Sequence, residues 1–249
     1  MSFTVPATWK ELTQEQLRHV LKILWIHQGK PDWESCVQSA VLVYLCNIEV
    51  QRRTDQGWMC RECKTGDRFL LDPELLPSMT SRVAWVTRME EVDVRIEQVG
   101  VYKAVDFELQ KLMFGDYLKV EGYFQSYLQS EKVSCLEGMA KLLYHIPEKT
   151  VVPELTEEVL FGTFLWYNAA KQMLGNEYPH FLKPVSGTAE PVTKESLAES
   201  MRVQIRLLTK GDVTKRKYIL EEIDTWSALA ELDALAKEAE EIKRKYGKK

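Results

Sequence analysis

Two cysteines separated by two residues carry the strongest chemical signal in this chain. Cys60 and Cys63 lie in the segment WMCREC, and two thiolates at this spacing on a turn can supply half of a tetrahedral zinc site. A second Cys or His pair at short spacing occurs nowhere else in the sequence. We therefore interpret both as ordinary loop cysteines and predict no cofactor, with zinc binding by Cys60 and Cys63 as the alternative.

A redox function for the same pair is a further alternative. It would need a cysteine at the N-terminus of a helix, where the pKa of a thiol falls. Turn residues at 55–57 and 64–67 instead predict a small β-hairpin around the pair. The chain has five cysteines, and an odd, scattered set favours a reducing compartment over a disulfide framework.

Carboxylates and catalytic motifs give no sign of an enzyme. The acidic neighbours Glu90–Glu91, Glu157–Glu158 and Glu221–Glu222 diverge on a helix and therefore cannot act as a pair. The patterns of serine hydrolases, zinc proteases, dinucleotide-binding folds and P-loops are missing from the sequence. The sequence predicts a protein without catalytic residues and without a small-molecule substrate.

Hydrophobic spacing predicts a mainly α protein, a bundle of several amphipathic helices. The central stretch 114–144 has apolar residues three or four apart on both sides of a polar corner at 129–132, which is typical of a helical hairpin. The hairpin of β-strands is expected at about 57–71. Alternation near 92–99 predicts a short strand, with an exposed edge or an extended linker as the alternative.

Helix boundaries follow from capping signals. Thr13 and Gln16 predict a capping box at the start of the first helix. Asp32 is expected to cap a second helix from Trp33 to about Gln51. A helix is expected from Thr193 to Thr209, with an apolar face of Leu197, Met201, Ile205 and Leu208, and the last helical region is expected from Thr214 to about Tyr246. A proline-rich stretch at 177–192 predicts a linker between a core domain, 1–176, and a C-terminal helical region, 193–249.

Charge and hydropathy indicate which partners to expect. A net charge of -4 gives no electrostatic footprint for nucleic acid, and the lysines at the C-terminus are interpreted as a solvated helix end. No window approaches the ~20 apolar residues of a membrane span. The first ten residues lack the pattern of a signal peptide. We expect no membrane partner and a location in the cytosol.

The last helical region carries an apolar stripe that could contact a partner. Its members are Trp226, Leu229, Leu232 and Leu235. Because few later residues remain to cover this stripe, it is expected to pack either on the body of the protein or on another subunit.

Four short motifs together resemble a known group of proteins. They are Pro6, Trp9, Glu11, Leu12 and Thr13 at the start; Phe114–Tyr117 with Tyr123 and Phe124; Leu142–Tyr144; and Leu208–Thr214. In these segments the chain resembles uncharacterised proteins of Bacteroidales phages and prophages that lie among tail genes. The resemblance implies a structural or assembly protein of the phage tail, chaperone-like in action, with other tail proteins or a second copy as partners. It also implies a location in the virion if the protein is a structural component.

Overall fold

A computed structural model describes residues 4–182 and 194–246. In this part of the chain the protein is mainly α-helical with two small antiparallel sheets, so the predicted fold class is confirmed. The helices are α1 (Gln14–His27), α2 (Trp33–Leu45), α3 (Leu76–Thr80), α4 (Phe114–Ser130), α5 (Val133–Leu143), α6 (Glu157–Glu177), α7 (Lys194–Thr209), α8 (Arg216–Glu221) and α9 (Thr225–Tyr246). The strands are β1 (Ile48–Thr54), β2 (Gly57–Glu62), β3 (Arg68–Leu71), β4 (Gln98–Val99) and β5 (Tyr102–Lys103).

The chain forms two compact units. The first contains Met1–Ile96 and Thr156–Leu165, and the second contains Glu97–Leu155 and Trp166–Lys249. Helix α6 thus contributes residues to both. Most of the predicted linker at 177–192 lies outside the described residues, and the predicted division at that point stays a prediction.

The first unit begins with the predicted capping box. The Thr13 side chain accepts a hydrogen bond from the Gln16 N–H at 3.2 Å, and the Gln16 side chain accepts one from the Thr13 N–H at 2.9 Å. Together these bonds satisfy two N–H groups that have no partner inside the helix. Helix α1 then buries Leu17, Val20, Leu21 and Leu24 in the core.

The second helix begins at Trp33 as predicted, but it lacks the expected capping bond and ends earlier than predicted. Asp32 has a left-handed φ of 56° and its side chain makes no capping hydrogen bond. The helix ends at Leu45 and not near Gln51, because Asn47 also adopts a positive φ of 58°, which stops the helical backbone. Ile48 and Val50 then pair with β2 as part of a strand.

The predicted β-hairpin is part of a three-stranded sheet with the order β1-β2-β3. Its central register aligns Val50, Cys60 and Phe69 across the strands. The predicted strand near 92–99 is only partly present: Gln98–Val99 pair with Tyr102–Lys103, and the residues from 92 to 97 have no regular structure.

The second unit contains the helical hairpin predicted at 114–144. Helices α4 and α5 flank the short corner at Glu131 and Lys132, and Glu131 has a φ of 53°. Gly138 allows the Tyr123 ring to lie against α5, since a Cβ there would sit 2.6 Å from that ring. The predicted aromatic seam is therefore part of the packing between the two helices.

The last helical region is divided, in contrast to the single element predicted from Thr214 to Tyr246. Helix α8 ends at Glu221, and α9 begins at Thr225 after a short turn at 222–224. In that segment Asp224 pairs with Met113, and the Ile223 carbonyl accepts from the Phe114 N–H at 2.9 Å. This backbone pairing interrupts the helix and places α8 beside the start of α4.

Candidate functional site

The open surface of α7 carries a candidate binding site in the second unit. Leu197, Met201 and Ile205 follow each other at intervals of four residues, so they share one face of the helix. All three are half-buried. They line a series of adjoining cavities with volumes of 580, 390 and 380 Å³, which we call the α7 groove.

Three helices form the walls of the α7 groove. Leu118 of α4 and Leu220 of α8 complete its apolar floor beside Met201 and Ile205. Gly115 permits the close approach of α8, because a Cβ at this position would lie 2.5 Å from the Leu220 carbonyl oxygen. The groove is therefore built by the same contact that joins α8 to α4.

The rim of the α7 groove is mainly cationic. It is lined by Lys119, Arg202, Arg206 and Arg216, and by two carboxylates, Asp116 and Glu221. Lys119 forms an ion pair with Asp116 at 2.8 Å, and Arg202 forms a longer one with Glu199 at 3.3 Å. Within residues 4–182 and 194–246, neither Arg206 nor Arg216 has a carboxylate within ion-pair distance.

The predicted partner stripe on α9 is largely covered by its own unit. Leu229 and Leu232 are buried, and Trp226 and Leu235 are half-buried. The indole N–H of Trp226 donates to the Glu108 carbonyl at 2.7 Å, and its ring meets Tyr178 edge to face. Of the two packing alternatives, the chain itself covers most of the stripe, and contact of the four residues with a partner stays a prediction.

The predicted metal candidates lie in different environments. Cys60 is fully buried in the middle of β2, whereas Cys63 is exposed just after that strand. Burial raises the pKa of the Cys60 thiol, which disfavours the thiolate that metal binding and redox chemistry require. Among the described residues, no group of three or more His, Cys, Asp or Glu side chains is arranged so that it could hold a metal ion.

A polar cluster, which the sequence did not indicate, lies between α4 and α6. The Glu121 carboxylate accepts hydrogen bonds from the Tyr167 hydroxyl at 2.9 Å and from Lys171 Nζ at 2.6 Å. Burial, followed by the nearby Glu121 charge, raises the pKa of Tyr167 well above its ordinary value. All three groups are occupied with each other, so we interpret the cluster as a link between helices.

The sequence predicted the apolar side of the α7 groove but not its arginines. The apolar face of α7 has the spacing from which the helix was predicted, but Arg202, Arg206 and Arg216 were not singled out. Arginines four residues apart beside a glycine turn were the available signal. This signal could not be interpreted from the sequence alone, because Arg216 of α8 lies beside Arg206 only in the folded protein.

Comparison with known proteins adds no identity: no protein-family model, curated protein or solved structure matches the chain. In the described part of the chain, no helix has both the length and the apolar character of a membrane span.

Proposed function

We propose that the protein is a non-enzymatic, tail-related structural or assembly protein of a phage or prophage, and that it acts by binding other protein chains. In the assembly role it works in the bacterial cytoplasm, and in the structural role it is part of the virion. The observation that carries the proposal is the α7 groove, an open apolar cleft with a cationic rim.

Such a cleft is suited to binding a protein segment. Half-buried apolar side chains such as Met201 and Ile205 keep part of their surface in contact with water. Covering apolar surface stabilises a complex by about 25 cal/mol per Å², and contiguous exposed apolar surface commonly marks a protein interface.

The resemblance to tail-gene proteins supports the phage context. Two of the motifs that carry the resemblance contribute directly to the α7 groove. The motif Phe114–Tyr117 supplies Gly115 and Asp116, and the motif Leu208–Thr214 supplies Thr209, Gly211 and Val213. The proposed binding surface and the proposed context thus involve the same segments.

Gene deletion tests this function directly. In a bacterium that carries the gene in an inducible prophage, we expect deletion to give particles without complete tails in electron micrographs. A plasmid copy of the wild-type gene should restore the tails. Mass spectrometry of purified particles then separates the two forms of the proposal, since a structural component is retained and an assembly factor is not.

A charged substitution in the groove ties the phenotype to the surface. Ile205→Glu should fail to restore tails, because it places a charge on the apolar floor. Val101→Glu is the matched control, since Val101 is 82% exposed and lies outside the groove. Circular dichroism and thermal unfolding check that both variants fold. Normal tails and normal infectivity in the deletion strain would contradict the proposal.

A further inference from the structure

We propose that the part of the α7 groove lined by Arg202, Arg206 and Arg216 binds an acidic segment of a partner protein. Carboxylates of the segment would pair with the arginines, and a neighbouring apolar side chain would contact Ile205 and Val213. The inference rests on the proposed function and names the chemistry of the partner.

The composition of this pocket favours an acidic ligand. It has a volume of 390 Å³ and is lined by three arginines, while no carboxylate of the described chain lines it. Guanidinium groups present paired N–H donors that match the two oxygens of a carboxylate. Ile205 and Val213 give the same pocket an apolar side. A ligand that fills it needs negative charge and apolar surface close together.

The turn after α7 brings the backbone at Arg206 and Arg216 to the same pocket. Lys210 and Gly211 both have a positive φ, of 52° and 79°. The Gly211 N–H donates to the Arg206 carbonyl at 3.1 Å and thereby closes the end of the helix. The chain reverses here, so Arg216 at the start of α8 lines the same pocket as Arg206.

The nearest acidic side chain in this turn is already occupied. Asp212 accepts hydrogen bonds from the Thr214 N–H at 3.0 Å and from the Thr214 hydroxyl at 2.7 Å. It also pairs with Lys215 at 3.7 Å. These contacts direct the Asp212 carboxylate to its own turn, so Arg206 and Arg216 keep their charges available for a ligand.

The surroundings favour a protein ligand over a nucleic acid. Nucleic-acid sites combine a broad basic surface with aromatic side chains on which bases stack. The described residues that line this pocket include no aromatic side chain. The groove continues from the pocket into a section where Leu118, Met201 and Leu220 form an apolar floor between charged side chains of both signs. The apolar floor suits a peptide with apolar residues.

A labelled peptide tests the proposal with the full-length protein. The probe is a fluorescein-labelled peptide of twelve residues containing only Glu and Leu at helical spacing, and the comparison peptide has Gln in place of Glu. Fluorescence anisotropy at low salt should show binding of the Glu peptide at least tenfold tighter than that of the Gln peptide. Equal affinity for the two peptides would overturn the proposal.

Arginine substitutions locate the binding. The double variant Arg206→Gln and Arg216→Gln should lose at least tenfold in affinity for the Glu peptide. The control is Lys149→Gln with Lys237→Gln, which removes the same charge at exposed positions outside the pocket. Thermal unfolding verifies the fold of both. Equal affinity loss in the two double variants would show a general charge effect and overturn the site.

Two further outcomes separate this inference from its alternatives. A twelve-nucleotide oligothymidine that binds more tightly than the Glu peptide, and depends on the same arginines, would replace the protein partner with a nucleic acid. Complementation of the deletion strain distinguishes the two proposals. If the arginine double variant restores tails fully, this inference fails and the proposed function stands. If deletion has no effect, the proposed function fails whatever the peptide result.

Discussion

Lys171 Nζ lies 2.6 Å from Glu121 Oε1 and links α6 to α4 in the second unit. The two side chains are only 28% and 16% exposed, so water screens their attraction less than on an open surface. Lys171 also lies over the Phe124 ring, at 4.8 Å from its centre. The pair therefore stabilises the contact between α4, which is part of the helical hairpin, and α6.

Substitution of Lys171 should destabilise the folded protein, because it leaves the Glu121 carboxylate without its cation. We expect Lys171→Met to lower the free energy of unfolding by about 1–3 kcal/mol, because Glu121 would stay mostly buried with two neutral donors, the Tyr167 hydroxyl and the Gln125 amide, and no cation. Adding Glu121→Gln should recover part of the loss. Urea unfolding of the four chains of this double-mutant cycle measures the coupling. Additive effects would contradict an energetic link between the two residues.

Gly115 should be the least replaceable glycine of α4. We expect Gly115→Ala to cost about 1–3 kcal/mol, since the new Cβ would meet the Leu220 carbonyl and force α8 away from α4. Gly122→Ala is the matched control on the same helix. Its Cβ would make an ordinary contact with Met201 at 3.6 Å, and alanine favours helix by up to about 1 kcal/mol. Equal stability of the two variants in urea would contradict the role of Gly115.

Local signals predicted the helices because they depend on neighbours in sequence. The bonds between Thr13 and Gln16 join residues only three positions apart, and the hairpin at 114–144 needs only its own apolar spacing. The end of α2 depends on the backbone of Asn47 and on the strand pairing that follows it, and the break before α9 depends on a distant partner. β2 pairs with the residues after Asn47, and Met113 pairs with Asp224, so neither boundary could be predicted from a helical pattern.

In the candidate site, too, local features could be predicted and contacts between distant segments could not. The apolar face of α7 was predicted from spacing alone, but the groove exists because α4 and α8 leave that face partly open. Glu121, Tyr167 and Lys171 meet across 46 and 50 residues of sequence, and no local pattern joins them. Contacts between distant segments therefore explain most of what the sequence could not predict.

The five cysteines should differ in reactivity according to burial. In the folded protein we expect iodoacetamide to modify the exposed Cys36 and Cys63 first. Cys46 and Cys60 should react only after denaturation, because both are buried and burial raises the pKa of each thiol. Mass spectrometry of digested protein gives the order, and labelling in guanidinium chloride is the control. Cys60 reacting as fast as Cys63, or one zinc ion per chain protecting both, would support the metal or redox alternative.

Asp224 should make the stability of the α9 start depend on pH. Its carboxylate accepts hydrogen bonds from the Ser227 N–H at 2.9 Å and the Ser227 hydroxyl at 2.7 Å. Burial alone would raise the pKa of Asp224, but the bonds from Ser227 lower it below its ordinary value of 3.8. A lowered pKa means that the ionised form stabilises the folded state above pH 3.8, and that this contribution is lost as the pH falls through the folded-state pKa.

Two substitutions at this position separate capping from charge. At pH 7 we expect Asp224→Ala to cost about 1 kcal/mol through loss of the cap, while Asp224→Asn keeps an acceptor and loses only the charge beside the helix N-terminus. The difference in stability between wild type and Asp224→Asn should therefore shrink between pH 7 and pH 3 in urea unfolding. Asp55→Asn provides the control, since it removes the same charge from an exposed turn. If the difference at Asp224 is the same at both pH values, its charge does not stabilise α9.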